Sequence, residues 1–335
     1  MNRPTGATPS LTVGLAAMAA TVVLWAGFAL SIRGIGASDL TALDAALLRF
    51  LTPLVVLAPW IPRAVRRVRH ERPGVLLALC AGAGLPYFLL AAWGGSLTSA
   101  ALVGIVIPGT VPLFVTVLAF ALWRTRARPA QLGALVLIVL GAAVSVTAAV
   151  TPDQAAGVVI LLCAGLVWSV YTLALRETTL DPVSAALVLC APSALLAGVP
   201  VLLGLAPSAL VGGAAPGDVL VYVAVQGVGV GVLAALCYAT AIRGLGGPVA
   251  ATLGALSPVV TLVVAVPLFG EPVTPATTVT LLLVLTGVVA FNLLGVRRPR
   301  PAEPSPAEPG PAVPRPAEPT PTEAGNRRPE LETSC

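Results

Sequence analysis

The feature that most constrains this 335-residue chain is a series of ten apolar runs, separated by short connections that hold most of its charges. A helix needs about 20 apolar residues to cross the hydrocarbon core of a bilayer, so each run predicts a membrane span. The predicted spans cover residues 11–32, 40–61, 74–94, 98–122, 129–150, 157–175, 182–205, 217–242, 249–269 and 275–296. The sequence therefore predicts an all-α integral membrane protein with ten transmembrane helices in a lipid bilayer.

The composition excludes several other classes of protein. Only 10% of the residues are charged, whereas soluble domains carry about a quarter. The net charge of +5 does not predict a nucleic-acid partner, because the arginines lie between the apolar runs and form no patch. The five cysteines and one histidine show no metal-ligand or redox spacing, and no nucleotide-binding or hydrolase motif occurs. We therefore predict no enzymatic activity, no metal and no cofactor.

The distribution of arginines predicts how the chain is oriented. Of the 19 basic residues, all arginines, all but Arg33 and Arg49 lie before the first span, in alternate connections or after the last span. Connections rich in arginine face the cytoplasm. Both termini are therefore predicted to be cytoplasmic in a multi-pass protein of the cell (plasma) membrane. Residues 297–335, in which "PAEP" occurs three times, are predicted to form a disordered cytoplasmic tail.

The apolar part of the chain contains the same unit twice. Residues 11–150 and 157–296 each hold five predicted spans. An odd number of spans turns the second copy upside down, and such inverted repeats are typical of secondary transporters. Three proline and glycine positions recur at a constant offset of 146, where Pro112, Pro129 and Gly141 match Pro258, Pro275 and Gly287.

Particular segments also resemble a known family. They are Trp25, "LLRF" (47–50), "LVWSVYTLALRE" (166–177) and "LSPVVTLVVAVPLFGEPVTPATTVTLLLVLTGVVAF" (256–291). Over residues 11–296 the chain is similar to ten-span members of the drug/metabolite transporter superfamily, built from two EamA-type domains. The resemblance implies transport of small metabolites, often export of amino acids or related solutes, by alternating access. The first copy departs from the pattern, because Thr125 stands where the second copy has Glu271.

Two charged residues lie inside the second predicted span. Arg49 is nine residues from the start of that span at Leu40, or about 13–14 Å, close to the middle of the membrane. We expect it either to bind an anionic group of the substrate or to form a structural bond with backbone carbonyls or an acid on another span. Asp44 is either a coupling acid or an acid that reaches the interface, and Asp39 is the expected N-cap.

Other polar residues and prolines reach similar depths and predict a central substrate pocket. The prolines are expected to break helices at mid-span and to free backbone carbonyls. The alternative is ordinary packing in a helix bundle. The candidate pocket residues are Tyr87, Thr110, Gln226, Ser257 and Thr261, and the candidate helix breaks are Pro108, Pro112 and Pro258.

Three residues are predicted to lie at the membrane interfaces rather than in a site. Trp93 and Tyr222 are interpreted as aromatic anchors near the ends of spans. Glu271 is interpreted as a water-exposed residue of the turn before the last span, with no chemical role.

The favoured function is a secondary transporter that exports small polar metabolites, such as amino acids or related solutes. Efflux of cationic compounds is a second hypothesis, which the acid-free first span disfavours. A membrane scaffold or sensor that uses the proline-rich tail is a third. The expected partners are a small-molecule solute and lipid, with a homodimer as a further alternative.

Overall fold

The computed structural model describes residues 9–295, except for the side chain of Pro248, and these residues are helical with no strand among them. The predicted tail, 297–335, lies outside the described residues. The first half holds α1 (Leu11–Gly34), α2 (Ala42–Val56), α3 (Ile61–Val68), α4 (Pro73–Ala83), α5 (Leu85–Leu97), α6 (Ala100–Trp123) and α7 (Pro129–Thr147). The second half holds α8 (Pro152–Glu177), α9 (Pro182–Leu202), α10 (Ala209–Gly212), α11 (Pro216–Tyr222), α12 (Ala234–Leu245), α13 (Gly247–Gly254), α14 (Ser257–Phe269) and α15 (Pro275–Gly295).

These elements confirm the predicted all-α membrane fold. Among the described residues, 9 helices are long and apolar enough to cross a membrane, and a bent pair brings the number to 10. The bent pair is Ala42–Val56 with Ala58–Val68, which meet at 65°. The 15 residues of α2 cover only about 22 Å, so the second predicted span, 40–61, corresponds to a bent pair of helices and not to one continuous helix. The helix after the bend carries Arg63, Arg66 and Arg67 on its exposed side, which opposes a straight continuation through lipid.

The contacts between the two halves are symmetric. When each span is replaced by its counterpart in the other half, a contact seen once is found a second time. In the first half α1 packs on α12 and α14; in the second half its counterpart, α8, packs on α4, α5 and α6. Three further contacts join corresponding spans directly, namely α2 with α9, α6 with α14 and α7 with α15. The chain therefore has the predicted two-repeat architecture, in which five spans per repeat invert the second copy.

Three spans are irregular near their middle. Span three breaks at Gly84, between α4 and α5, where the Leu85 amide donates to Ser193 Oγ at 3.0 Å. A Cβ at position 84 would collide with Ser193 Oγ, so a glycine is needed for this approach. Span eight contains a π-helical segment, Val223–Leu233, of 11 residues between α11 and α12. Span nine breaks at Ala255 and Leu256, just before the turn that holds Pro258.

The fourth span differs from its predicted form. We expected Pro108 and Pro112 to break it, but α6 continues through both residues. A proline removes one backbone hydrogen bond, and a helix inside a bundle tolerates this loss where neighbouring helices support it. Glycines in α6 provide that support, since Gly104 lies against Thr261 and Gly109 lies against Val284.

The bundle has two ends, which the alternating helix directions define. The arginine-rich end is the one at which α1 begins, and it holds the connections 57–72 and 124–128. The opposite end, at which α1 finishes, holds the connections 35–41, 98–99, 203–215 and 270–274, and we call it the Glu271 end.

Candidate functional site

Arg49 lies in the middle of α2, is only 7% exposed, and faces the π-helical segment. Its Nη1 donates to Oε1 of Gln226 at 2.5 Å. The Gln226 amide nitrogen donates in turn to Ser31 Oγ at 2.7 Å, and the Tyr222 hydroxyl donates to the Ser31 carbonyl at 2.7 Å. These four residues, called the Arg49–Gln226 cluster below, connect spans one and two of the first repeat with span eight of the second.

The positive charge of this cluster is not balanced by a carboxylate. None of the salt bridges among the described residues includes Arg49, and its buried Nε has no hydrogen-bond partner there. An arginine in the middle of a membrane costs about 2.5–3.5 kcal/mol on insertion scales unless a partner or water compensates it. The cluster is therefore a buried cation with an unused donor.

Aromatic rings surround the guanidinium instead of an acid. Its Cζ lies 5.1 Å from the ring centroid of Phe28, 5.6 Å from that of Phe50 and 5.8 Å from that of Phe88. Each such contact contributes about 0.5–2 kcal/mol, and the larger value applies to a desolvated pair. These contacts offset part of the cost of burial without neutralising the charge.

A row of aromatic rings extends from Phe28 toward span six. Tyr87 stacks on Phe28 with ring centroids 5.8 Å apart and lies 4.8 Å from Trp168. Trp168 continues the row to Tyr171 at 5.0 Å. Phe28, Tyr87, Trp168 and Tyr171 are called the aromatic row below, and it places an apolar surface next to the cation.

Small residues allow α2 and the π-helical segment to approach closely enough for the Arg49–Gln226 hydrogen bond. A Cβ at Gly227 would lie 2.5 Å from Thr52 Cβ, and one at Gly231 would lie 2.7 Å from Pro53 Cγ. Both distances are shorter than real Cβ contacts allow. The run "QGVGVG" (226–231) thus fixes the distance between the helices as well as supplying the glutamine.

The predicted pocket residues separate into two groups. Arg49, Tyr87 and Gln226 lie together. Thr110 donates to the Val106 carbonyl at 2.8 Å and Thr261 to the Ser257 carbonyl at 3.0 Å, so both hydroxyls are used within their own helices.

The second group lies in helix contacts rather than beside the cation. Thr110 packs on Gly165 of α8, Thr261 packs on Gly104 of α6, and Ser257 is buried at the start of α14. A role of Thr110, Ser257 or Thr261 in binding stays a prediction.

Asp44 is fully buried and is part of a helix cap. The N-cap of α2 is Thr41 and not Asp39 as predicted, and Asp44 completes the capping box with Thr41. The carboxylate also accepts from Ser208 Oγ at 2.5 Å and from the Ala209 amide at 2.9 Å. Asp44 therefore ties span two to the start of α10, while both its role in coupling and its position at the interface stay predictions.

Sequence reasoning misplaced Tyr222 and missed Ser31. Tyr222 is 3% exposed and donates to Ser31, so its interpretation as an interface anchor is wrong. Tyr222 lies near the end of a predicted span, but its side chain is the buried one of α11, a helix that contacts α2. A lone serine in an apolar run was the available signal for Ser31.

Glu271 was also misinterpreted, because its side chain is 11% exposed and fully engaged. Its carboxylate accepts from the amides of Ala100 at 2.9 Å and Ala101 at 3.4 Å, and lies 3.4 Å from Arg33 Nε. The first amides of a helix attract negative charge, so the acid caps α6 from across the bundle. We call Arg33, Ala100, Ala101 and Glu271 the Glu271 latch.

A second set of polar contacts closes the arginine-rich end. Glu71 accepts from the Thr178 hydroxyl at 2.7 Å and the Thr179 amide at 2.8 Å, and Asp181 pairs with Arg67 at 2.6 Å. The hydrogen bond from Thr178 holds the pKa of Glu71 below its ordinary value. We call Glu71, Thr178 and Thr179 the Glu71 latch. Both ends of the bundle are thus bridged between the two repeats.

The two repeats of the chain each match a model of a known protein family. The model of the EamA-like transporter family matches residues 12–147 and 155–293, once over each repeat. The chain belongs to the EamA-like transporter family. It is therefore a multi-pass membrane protein of the drug/metabolite transporter type, as its resemblance predicted.

The fold of this EamA-like chain is similar to that of a solved crystal structure with a TM-score of 0.58. The alignment covers 86% of this chain and 100% of the other at 22% identity, which shows likeness of fold alone. A search of curated proteins gives no significant match.

Proposed function

We propose that this chain is a secondary transporter that exports small polar metabolites with an anionic group, such as amino acids or related solutes. The observation that carries the proposal is the hydrogen bond between Arg49 of the first repeat and Gln226 of the second. A buried cation at the interface between inverted repeats lies where secondary transporters bind their substrates.

The chemistry of Arg49 supports an anionic ligand. A guanidinium can donate two parallel hydrogen bonds to a carboxylate, and charge-assisted bonds of this kind are roughly twice as strong as neutral ones. Within residues 9–295 its Nε has no hydrogen-bond partner, and its Nη1 donates to the neutral amide of Gln226. A substrate carboxylate would replace Gln226 and occupy the free donor. The same charge repels cations, which disfavours efflux of cationic compounds.

The two latches support alternating access. Arg49 lies in the middle of α2, with the Glu71 latch at one end of the bundle and the Glu271 latch at the other, so release of either latch would open the bundle toward the cluster from one side. The arginine distribution favours a plasma-membrane protein with its arginine-rich end and both termini in the cytoplasm. The direction, export, is the one that the family resemblance implies.

The proposal is tested in proteoliposomes with labelled amino acids and related organic acids, with and without a pH gradient. The wild-type protein is expected to move at least one solute of this panel, and Arg49→Ala to abolish the movement with little loss of inserted protein. Arg66→Ala is the matched control, because Arg66 is an exposed arginine of α3. Full transport by Arg49→Ala, or no movement of any solute by the wild type, would contradict the proposal.

A further inference from the structure

We propose that the preferred substrate is an organic monoanion with an aromatic body and no ammonium group, rather than a zwitterionic amino acid. This inference rests on the proposed function, because it concerns the ligand of the Arg49–Gln226 cluster. Three features of the structure carry it: the uncompensated charge, the positions of the acids and the aromatic row.

The first step is the charge of the cluster itself. Arg49 contributes one positive charge, and its hydrogen-bonded neighbour Gln226 contributes none. A monoanion that binds there makes the occupied cluster neutral. A zwitterion satisfies the guanidinium but brings its own ammonium, so the occupied cluster keeps a net positive charge in a low-dielectric region.

The second step is the absence of a partner for an ammonium group among residues 9–295. The acids in this range are Asp39, Asp44, Glu71, Asp153, Glu177, Asp181, Asp218 and Glu271. All of them lie in connections or in the terminal turns of helices. Asp44 is the one nearest to Arg49 along α2, and its carboxylate already accepts from Thr41, Ser208 and Ala209. An ammonium group bound beside Arg49 would therefore lack a carboxylate.

The third step is the surface next to the guanidinium. Phe28, Phe50 and Phe88 surround its Cζ, and the aromatic row continues from Phe28 to Tyr171 on α8. Aromatic side chains favour an aromatic ligand through offset or edge-to-face packing. A ligand whose carboxylate binds Arg49 and whose ring packs beside Tyr87 and Trp168 would use both the guanidinium and the aromatic row.

A consequence for the transport cycle separates the two classes of ligand. Arg49 stays in the bundle, so a cycle that carries a monoanion moves one negative charge across the membrane. A zwitterion moves no net charge. Transport of the preferred ligand is thus expected to respond to the membrane potential without any coupling ion.

The test compares probes that differ in one group. N-acetylphenylalanine is a monoanion, phenylalanine is the zwitterion with the same ring, phenylalanine amide is a cation, and N-acetylalanine is a monoanion without a ring. Labelled probes are offered to proteoliposomes at about pH 6, where the amine of phenylalanine amide is protonated and the carboxylates stay ionised, under a potassium diffusion potential set with valinomycin, and protein-free liposomes correct for leakage.

N-acetylphenylalanine is expected to move about tenfold faster than phenylalanine or N-acetylalanine, and faster when the receiving side is positive. Phenylalanine amide is expected to stay at the level of protein-free liposomes. Arg49→Gln is expected to reduce the rate about tenfold, whereas Arg66→Ala leaves it unchanged. The comparison of probes on the wild type does not depend on whether the Arg49 variant folds.

Equal or faster movement of phenylalanine, without response to the potential, would overturn the inference and leave the proposed function standing. Failure of every probe would also overturn the inference. The proposed function would fail with it only if the wider panel of amino acids and organic acids also did not move.

Discussion

At the scale of single residues, Arg49 and Gln226 define the site through what they lack. The guanidinium has a neutral partner and a free Nε, although an acid at position 226 would have neutralised it. The neutral glutamine holds the arginine in place, and it competes with an incoming carboxylate less strongly than an acid in an ion pair would. The identity of residue 226 therefore adjusts how readily the substrate displaces it.

This argument predicts the behaviour of Gln226→Glu. A glutamate of nearly the same shape would form a buried ion pair with Arg49, so we expect a higher thermal unfolding midpoint in detergent. The same ion pair would exclude the substrate, and we expect transport to fall at least about tenfold. Transport rates and thermal unfolding measured on one preparation check both effects.

Gln154→Glu is the matched control for this substitution. Gln154 lies in the first turn of α8, where a negative charge is favourable, so this variant is expected to transport like the wild type. Normal transport by Gln226→Glu would show that the substrate does not bind Arg49.

The depth of single residues could be predicted from the sequence, but their partners could not. Arg49 and Gln226 both stand near mid-span in the printed sequence, and depth follows from counting 1.5 Å per residue. Their hydrogen bond joins residues 177 positions apart, and it depends on helix rotation, which apolar runs do not encode. The contacts of Asp44 with Ser208 and Ala209, and of Glu271 with Ala100 and Ala101, could not be predicted for the same reason, since these partners belong to distant segments.

At the scale of elements, the π-helical segment is one of the irregular parts of the bundle, and it supplies Gln226 to the site. π-helices are usually single turns and often occur at functional sites, whereas this one extends over 11 residues. Two of its glycines, Gly227 and Gly231, pack directly on α2. Its local geometry therefore determines where Gln226 stands relative to Arg49.

Substitution of Gly227 by alanine tests this dependence. The new Cβ would lie 2.5 Å from Thr52 Cβ, which forces α2 away from the π-helical segment. We expect the free energy of unfolding to fall by about 1–3 kcal/mol, which lowers the thermal unfolding midpoint. We also expect slower transport. Gly133→Ala is the control, since nothing lies within 4 Å of its new Cβ. Equal behaviour of the two variants would exclude close packing as the role of Gly227.

The contacts of the Glu271 latch predict different effects for two substitutions at the Glu271 end of the bundle. Glu271→Ala removes the acceptor of two helix amides, and we expect it to cost about 1–3 kcal/mol of unfolding free energy. Arg33→Ala removes only a partly exposed ion pair and is expected to cost at most about 1 kcal/mol. Thermal unfolding of both variants checks the order, and equal losses would mean that the ion pair holds the latch.

At the scale of the whole molecule, the two repeats were readable in the sequence because prolines and glycines keep their spacing. Pro112 and Pro258 correspond, and so do Gly141 and Gly287. The functional asymmetry between the copies was not readable. The glutamate of the second copy caps α6, whereas the corresponding residue of the first copy is Thr125, and the arginine-rich end is closed by Glu71 instead.

The titration of Glu71 tests the latch at the arginine-rich end. The hydrogen bond from Thr178 lowers the folded-state pKa of Glu71 below the ordinary value of 4.5, so ionised Glu71 stabilises the fold above that value. This stability is lost as the pH falls through the lowered pKa. We expect wild-type protein to unfold at a higher temperature than Glu71→Gln at pH 7, and the difference to vanish as the carboxyl is protonated. A difference that persisted in acid would indicate another cause.

The unused donor of Arg49 predicts different substitutions in this sequence under selection for stability and under selection for transport. Replacing buried charged groups with apolar residues of similar volume is often neutral or stabilising by about 1–4 kcal/mol. A library screened only for heat resistance should therefore lose Arg49 and Gln226 together, in favour of pairs such as methionine and leucine. A library screened for growth that requires the solute to move should retain both. The residues found at positions 49 and 226 would thus show whether heat resistance or transport had been selected.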